Sequence, residues 1–146
     1  MTTKTPGVIL LLMAMTVALP AITADTDKPT VAIIGTGDMG DSLGPRLAGI
    51  GYPIIYGTRD PQGEKVMQLL ALTGKGAKAA SAAEAADVAE IILLAVPWPA
   101  METVAQNLGD LKGKVVIDIS MPSDQAEDGY YKPMLETSSA EMIQSW

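Results

Sequence analysis

The chain has 146 residues, 48% of them hydrophobic and 18% charged, which suits one globular domain with a real core. A formal net charge of −7 with no basic stripe argues against a nucleic-acid backbone as partner. Cysteine and histidine are both absent, so thiol nucleophiles, imidazole acid–base chemistry and zinc sites are excluded; no residue is assigned a catalytic or metal-ligating role.

Lys4 precedes an apolar run from Val8 to Leu19, broken by Pro20 and followed by the small-residue exit Ala21–Ala24. This is the layout of a secretory signal peptide over residues 1–24, and it predicts an exported, periplasmic or secreted protein. The run is shorter than the roughly 20 residues a membrane span needs. An uncleaved anchor, which would be the chain's one link to a membrane, and a buried N-terminal helix are the alternatives.

From Thr30 short apolar runs alternate with helical stretches. "TVAIIG" (30–35) reads as a central parallel strand. A helix follows, with Met39, Leu43, Leu47 and Ile50 as its inner face and Gly51 as its end; Gly44-Pro45 falls inside it, where proline removes a hydrogen bond. "PIIYG" (53–57) is the second strand. Asp60 and Pro61 are expected to open the second helix as N-cap and first helical residue. Val66, Leu69, Leu70 and Thr73 form its core face, and Gly74 stops it. A brief third strand covers Ala77–Ala80, "SAAE" (81–84) is a capping box, and "EIILLAVP" (90–97) is the fourth strand. A helix over Ala100–Leu108 leads to "KVVIDIS" (114–120), the fifth strand. Residues 122–133 read as polar turns, and "SSAE" (138–141) starts a last capped helix. The expected fold is a Rossmann-type α/β domain over residues 25–146, a doubly wound parallel sheet of about five strands in three layers.

Gly35, Gly37 and Gly40 form a GxGxxG loop between the first strand and its helix. The first glycine permits the turn, the second lets a pyrophosphate approach the backbone, and the third lets helix and strand pack closely. The residue that reads the ribose comes about 20 positions further on. There the chain has Gly57, Thr58 and Arg59 in place of the acid that would take the hydroxyls of NAD. A hydroxyl and a guanidinium fork suit a 2′-phosphate, so the cofactor expected is NADP; the alternative is that Arg59 is a solvated surface charge. Asp38 and Asp41 place two carboxylates beside the phosphate-binding helix end.

With "IIGTGDMGDSL", "YGTRDP", "LLAVPW", "KVVIDIS" and "SSAEMIQSW" in view, residues 30–146 resemble the NADP-binding domain of the oxidoreductases that use the deazaflavin coenzyme F-420. The resemblance implies phosphate contacts from Thr36, Gly37, the Asp38 amide and Met39, with Thr58 and Arg59 holding the 2′-phosphate. It implies that Ala95, Val96, Pro97 and Trp98 border the nicotinamide, with Ser120, Met121 and Pro122 nearby. Trp98 also reads as a hydrophobic plug, and Met39 as helix–sheet packing.

The resemblance further implies hydride transfer between NADP(H) and a deazaflavin or flavin-type co-substrate. That chemistry belongs to the cofactors and tolerates the absence of histidine. The family would add a sixth strand and a C-terminal segment; a truncated reading frame, a partner chain such as a second copy, or a binding domain reused without turnover each accounts for their absence. The rival functions are an exported nucleotide-binding or interaction module, and the N-terminal half of a β-hydroxyacid or pyrroline-carboxylate reductase type of enzyme.

Overall fold

Val31–Ile34 (β1) is buried along its whole length, because a strand at the centre of a parallel sheet is covered on both faces. The computed structural model describes residues 28–146 other than 126 and 128. The run Val8–Leu19, and with it the export reading, lies outside the described residues.

After β1 come Asp38–Gly49 (α1), Ile54–Gly57 (β2), Glu64–Thr73 (α2), Lys78–Ala80 (β3), Ala82–Val88 (α3), Ile91–Leu94 (β4), Trp98–Gln106 (α4) and Val115–Asp118 (β5). These five strands form one sheet in the order β3-β2-β1-β4-β5, and every neighbouring pair is parallel. The chain winds outward from β1 to β3 and then returns to the other side of β1, which leaves a crevice at the carboxyl ends of β1 and β4. Alternation along the strands divides the core in two. Val31, Ile33, Ile54, Tyr56 and Leu93 face Ala48 of α1 and Leu69 of α2. Ala32, Ile34, Ile55, Ile92 and Leu94 face Ala85 and Ala86 of α3 and Met101 of α4. The Rossmann-type three-layer fold expected from the sequence is the observed one.

Beyond β5 the chain departs from the polar turns expected of residues 122–133. Ser123–Gln125 (β6) and Tyr131–Pro133 (β7) pair antiparallel as a separate small ribbon. Ser139–Ser145 (α5) then lies on the α4 side of the sheet, where Ile143 packs against the core.

Three further expectations need correction. The inner line of α1 is Gly40, Gly44 and Ala48, not the predicted row of larger residues. Leu43 and Leu47 flank that line half-buried, while Met39 and Ile50 are 51% and 61% exposed. Small residues at four-residue spacing bring α1 so close to the sheet that the Tyr56 phenol occupies the space of a Gly44 side chain: a Cβ there would lie 1.8 Å from its Oη. The second correction concerns α2, which begins at Glu64 with Gly63 as N-cap; Asp60 and Pro61 form the turn before it, closed by Gly63 N–H donating to Asp60 O at 3.2 Å. The third is α4, which starts at Trp98 directly after the N-cap Pro97, two residues earlier than expected.

Candidate functional site

The glycine loop joins β1 to α1 at the crevice, and each glycine has its own reason to be there. Gly35 has φ +113°, and a Cβ on it would sit 2.4 Å from the Ala95 carbonyl oxygen. A Cβ on Gly40 would sit 2.1 Å from the Gly35 carbonyl oxygen, so the start of α1 rests directly on the loop. Gly37 differs: it is exposed, and nothing lies within 4 Å of where its Cβ would be. Two glycines are thus required by the protein's own packing, and the middle one keeps open the surface a ligand would cover.

Gly37 is also the N-cap of α1, and no side chain caps the helix. The first helical bond of this end runs from Asp41 N–H to Gly37 O at 2.9 Å, so the amides of Asp38 and Met39 precede it and remain available to an anion. Asp38 is exposed, with its carboxylate in solvent. Asp41 is half-buried, and its charge helps hold the Tyr56 phenol in its neutral form. Neither carboxylate caps the helix that would face a phosphate.

The loop is fixed to both neighbouring strands. Gly35 N–H donates to Gly57 O at 2.9 Å, and Ala95 N–H donates to Ile34 O at 2.8 Å. The carboxyl end of β2 is tied to the β3–α3 turn, where Thr58 N–H donates to Ala80 O at 2.9 Å. Gly57 is closely enclosed at this place. A Cβ there would meet Ile34 Cδ1 at 2.6 Å and the Ala82 Cα at 3.0 Å. A side chain at position 57 would make the Ile34 side chain turn and the start of α3 give by a few tenths of an ångström. Thr58 is half-buried beside it and Arg59 is exposed. No side-chain hydrogen bond or ion pair among the described residues engages the Arg59 guanidinium.

On the other side of the crevice, Ala95 and Val96 are half-buried against the two halves of the core. Pro97 is exposed. Trp98 packs on the α3–α4 side of the core, and its ring lies 5.6 Å from that of Trp146, tilted by 37°. Trp98 therefore packs as a hydrophobic plug after β4 while standing at the crevice rim. Met121 is 64% exposed, and Ser120 and Pro122 are half-buried beyond β5. The Ser120 hydroxyl is buried without a hydrogen-bond partner. The fold brings the glycine loop, Thr58, Arg59 and the Ala95–Trp98 turn to one end of the sheet. Sequence reasoning missed the part played by Ala80 and Ala82; the capping box at Ser81 marked that turn but not its closeness to Gly57. Among the described residues, no group of three acidic side chains could hold a metal ion.

Comparison with known proteins gives this arrangement a family. The family model described as NADP oxidoreductase, coenzyme F420-dependent, matches residues 30–122. An F420-dependent NADP reductase from Methanothermobacter marburgensis is 36% identical over 106 residues, covering 68% of this chain and 47% of that one. The rat (Rattus norvegicus) Metalloreductase STEAP3 is 29% identical over 99 residues, covering 68% of this chain and 19% of its own length. The crystal structure of a protein assigned as an F420-dependent NADP reductase from Arthrobacter sp. FB24 superimposes with a TM-score of 0.68 at 26% identity, over 80% of this chain and 57% of that one. The chain thus spans about half the length, or less, of the curated relatives it matches.

Proposed function

Because the chain belongs to the coenzyme F420-dependent NADP oxidoreductase family, we propose that it binds NADP(H) in the crevice and passes hydride between the nicotinamide and a deazaflavin or flavin-type acceptor. The observation that carries the cofactor choice is the pairing of a sterically closed Gly57 with a free Arg59. An acid at position 57 would crowd the Ile34 side chain and the start of α3, and the cation that suits a 2′-phosphate stands unengaged beside the spot.

The residues fit the cofactor. Gly37 leaves the loop surface bare for the pyrophosphate, and the Asp38 and Met39 amides point out of an uncapped helix end. Thr58 and Arg59 take the ribose phosphate, with Ala95, Val96, Pro97 and Trp98 walling the nicotinamide side. Bound NADPH supplies the hydride with both its electrons. The protein then has only to align two rings, a task that needs no acid or base of its own. The acceptor is the more open half of the proposal: among the relatives, one is named for F420 and another is named a metalloreductase.

Titrating NADP and NAD against the chain and against Arg59→Ala tests this reading. One charge-assisted contact is worth about 1.5–3 kcal/mol, so NADP should bind roughly 10- to 150-fold more tightly in the parent. The preference should collapse in the variant. Equal affinities in the parent, or an unchanged ratio in Arg59→Ala, would remove the assignment.

Export through residues 1–24 belongs to the same proposal, on the strength of Lys4, the Val8–Leu19 run and the Ala21–Ala24 exit. Protein recovered from the periplasm of a bacterial host should begin at Asp25 by intact mass. A cytosolic product retaining Met1 would end that part of it.

A further inference from the structure

The chain has nine methionines and no cysteine, so the thioether is its only form of sulfur. Met101 is wholly buried, whereas Met39 of α1 and Met67 of α2 are 51% and 50% exposed. Equal exposure makes these two sulfurs comparable targets for an oxidant. Their places in the fold differ. Met67 lies within α2, and its N–H donates to Gly63 O at 3.0 Å.

Met39 is the second residue of α1, two positions after the bare Gly37. Its own amide and that of Asp38 precede the first helical hydrogen bond, and no side chain caps them. A methionine in a helix carries its side chain back toward the N-terminus, which directs Met39 toward the glycine loop. A thioether is too weak an acceptor to serve that helix end. A sulfoxide is polar, and its oxygen is an acceptor carried on a side chain with three rotatable bonds. Oxidation would thus put an acceptor beside amides that lack one.

We infer that Met39 is an oxidation-sensitive control on the glycine loop, an inference that rests on the loop being the pyrophosphate site. Its sulfoxide caps α1 and takes the amides that the pyrophosphate needs. The oxidant is a hydroperoxide. The sulfur lone pair attacks the outer peroxide oxygen and the O–O bond breaks. The hydroxyl proton on sulfur then passes to the departing hydroxide, leaving sulfoxide and water; sulfur gives up two electrons and the peroxide takes them. Two thiols from outside the chain reverse the step, ending as a disulfide while the oxygen leaves as water. Bound nucleotide covers the same loop, so binding and oxidation oppose one another.

Hydrogen peroxide treatment of the whole chain tests this, with peptide mass spectrometry following each methionine and titration measuring NADP affinity. An untreated chain that fails to bind NADP overturns the reading of the loop and this inference with it. Once Met39 is oxidised, NADP affinity should fall about tenfold or more, the worth of one charge-assisted hydrogen bond. Met39→Leu, compared with its own untreated form, should keep its affinity through the same treatment. Saturating NADP should slow oxidation at Met39 and leave the rate at Met67 unchanged. A methionine sulfoxide reductase supplied with a dithiol should restore the parent's affinity. Unchanged far-ultraviolet circular dichroism confirms that the treated chain stays folded; should it not, the protection of Met39 relative to Met67 alone decides. Full affinity with Met39 oxidised, an equal loss in Met39→Leu, or no selective protection of Met39 would overturn the inference and leave the nucleotide site standing.

Discussion

At the scale of single residues, the glycines of the phosphate loop separate packing from binding. Gly40→Ala drives a Cβ into the Gly35 carbonyl oxygen, a backbone atom that cannot rotate away. Its cost is of the overpacking kind, about 1–3 kcal/mol, and thermal melting of the free protein should reveal it. Gly37→Ala meets nothing and sits at φ −85°, so the free protein should lose no more than the roughly 1 kcal/mol that separates glycine from alanine at an N-cap. Its methyl group stands where the pyrophosphate would approach, and NADP affinity should fall at least tenfold, about 1.4 kcal/mol. If Gly37→Ala lowers the melting temperature as much as Gly40→Ala, the division of roles is wrong. Tyr56 yields a second prediction. Burial holds its phenol above the usual value of 10, the Asp41 charge adds to this, and the hydrogen bond with Thr73 at 2.7 Å opposes it. The unfolded chain ionises this group first. Its contribution to stability is therefore intact below pH 10 and is lost as pH rises through the raised native value. Tyr56→Phe should cost about 0.5–1.5 kcal/mol at neutral pH, since Thr73 still donates to Leu69 O. The same change should flatten the alkaline fall in melting temperature, and a fall of equal slope in both proteins would count against the assignment.

At the scale of elements, two capping boxes of the same sequence logic hold helices of unequal security. Ser81 caps α3, whose Ala85 and Ala86 are wholly buried; Ser138 caps α5, which buries no residue completely. Ser81→Ala and Ser138→Ala each remove a cap worth about 1 kcal/mol. The first should lower the global melting temperature. The second should fray only α5, with faster amide exchange there and little global change. A global loss from Ser138→Ala would mean that α5 is integral to the core. Glu84 is held below the usual carboxylate range chiefly by Ser81, and Glu141 chiefly by Thr137 and then Ser138. Both caps therefore contribute above the ordinary value of 4.5 and weaken as pH falls through the lower native values, so α5 should fray in acid before the sheet does. These boxes were legible in the sequence because they are local: four consecutive residues contain donor and acceptor alike. The apolar strands were legible for a related reason, since a strand covered on both faces leaves an unbroken apolar run. The inner face of α1 was not. Periodicity selects the largest apolar residues, whereas here the close approach of Tyr56 selects the smallest, and that contact joins residues distant in sequence. The ribbon of β6 and β7 was hidden because its paired segments are polar and short, without the alternation that marks a half-buried strand.

For the whole molecule, a ligand that binds the crevice touches β1, β2, β4 and two helices at once, so its binding energy should stabilise the entire fold. At a hundredfold excess over its dissociation constant, a ligand of the native state alone adds about 2.7 kcal/mol. At equal moderate concentrations NADP should therefore raise the melting temperature clearly more than NAD, and Arg59→Ala should remove the difference. Equal shifts from both would place the affinity in features common to the two nucleotides. The same architecture explains why relatives of different names share this domain. The nucleotide half of the crevice comes from the loop, β2 and β4, all within residues matched by the family. The acceptor in the proposed reaction would depend on surfaces outside that half, which no motif in the sequence specifies.

The contact between Trp98 and Trp146 has an optical consequence. These are the two tryptophans of the chain, and at 5.6 Å their excited states exchange energy, so emission reports on them as a pair. One of them stands at the rim of the nucleotide crevice, and the other follows α5, which packs against α4. Reduced nicotinamide absorbs where tryptophan emits. Its arrival should quench the pair and light its own fluorescence, whereas the oxidised cofactor gives no such sensitised signal. The molecule thus contains a dye-free readout of whether its crevice holds the reduced or the oxidised nucleotide.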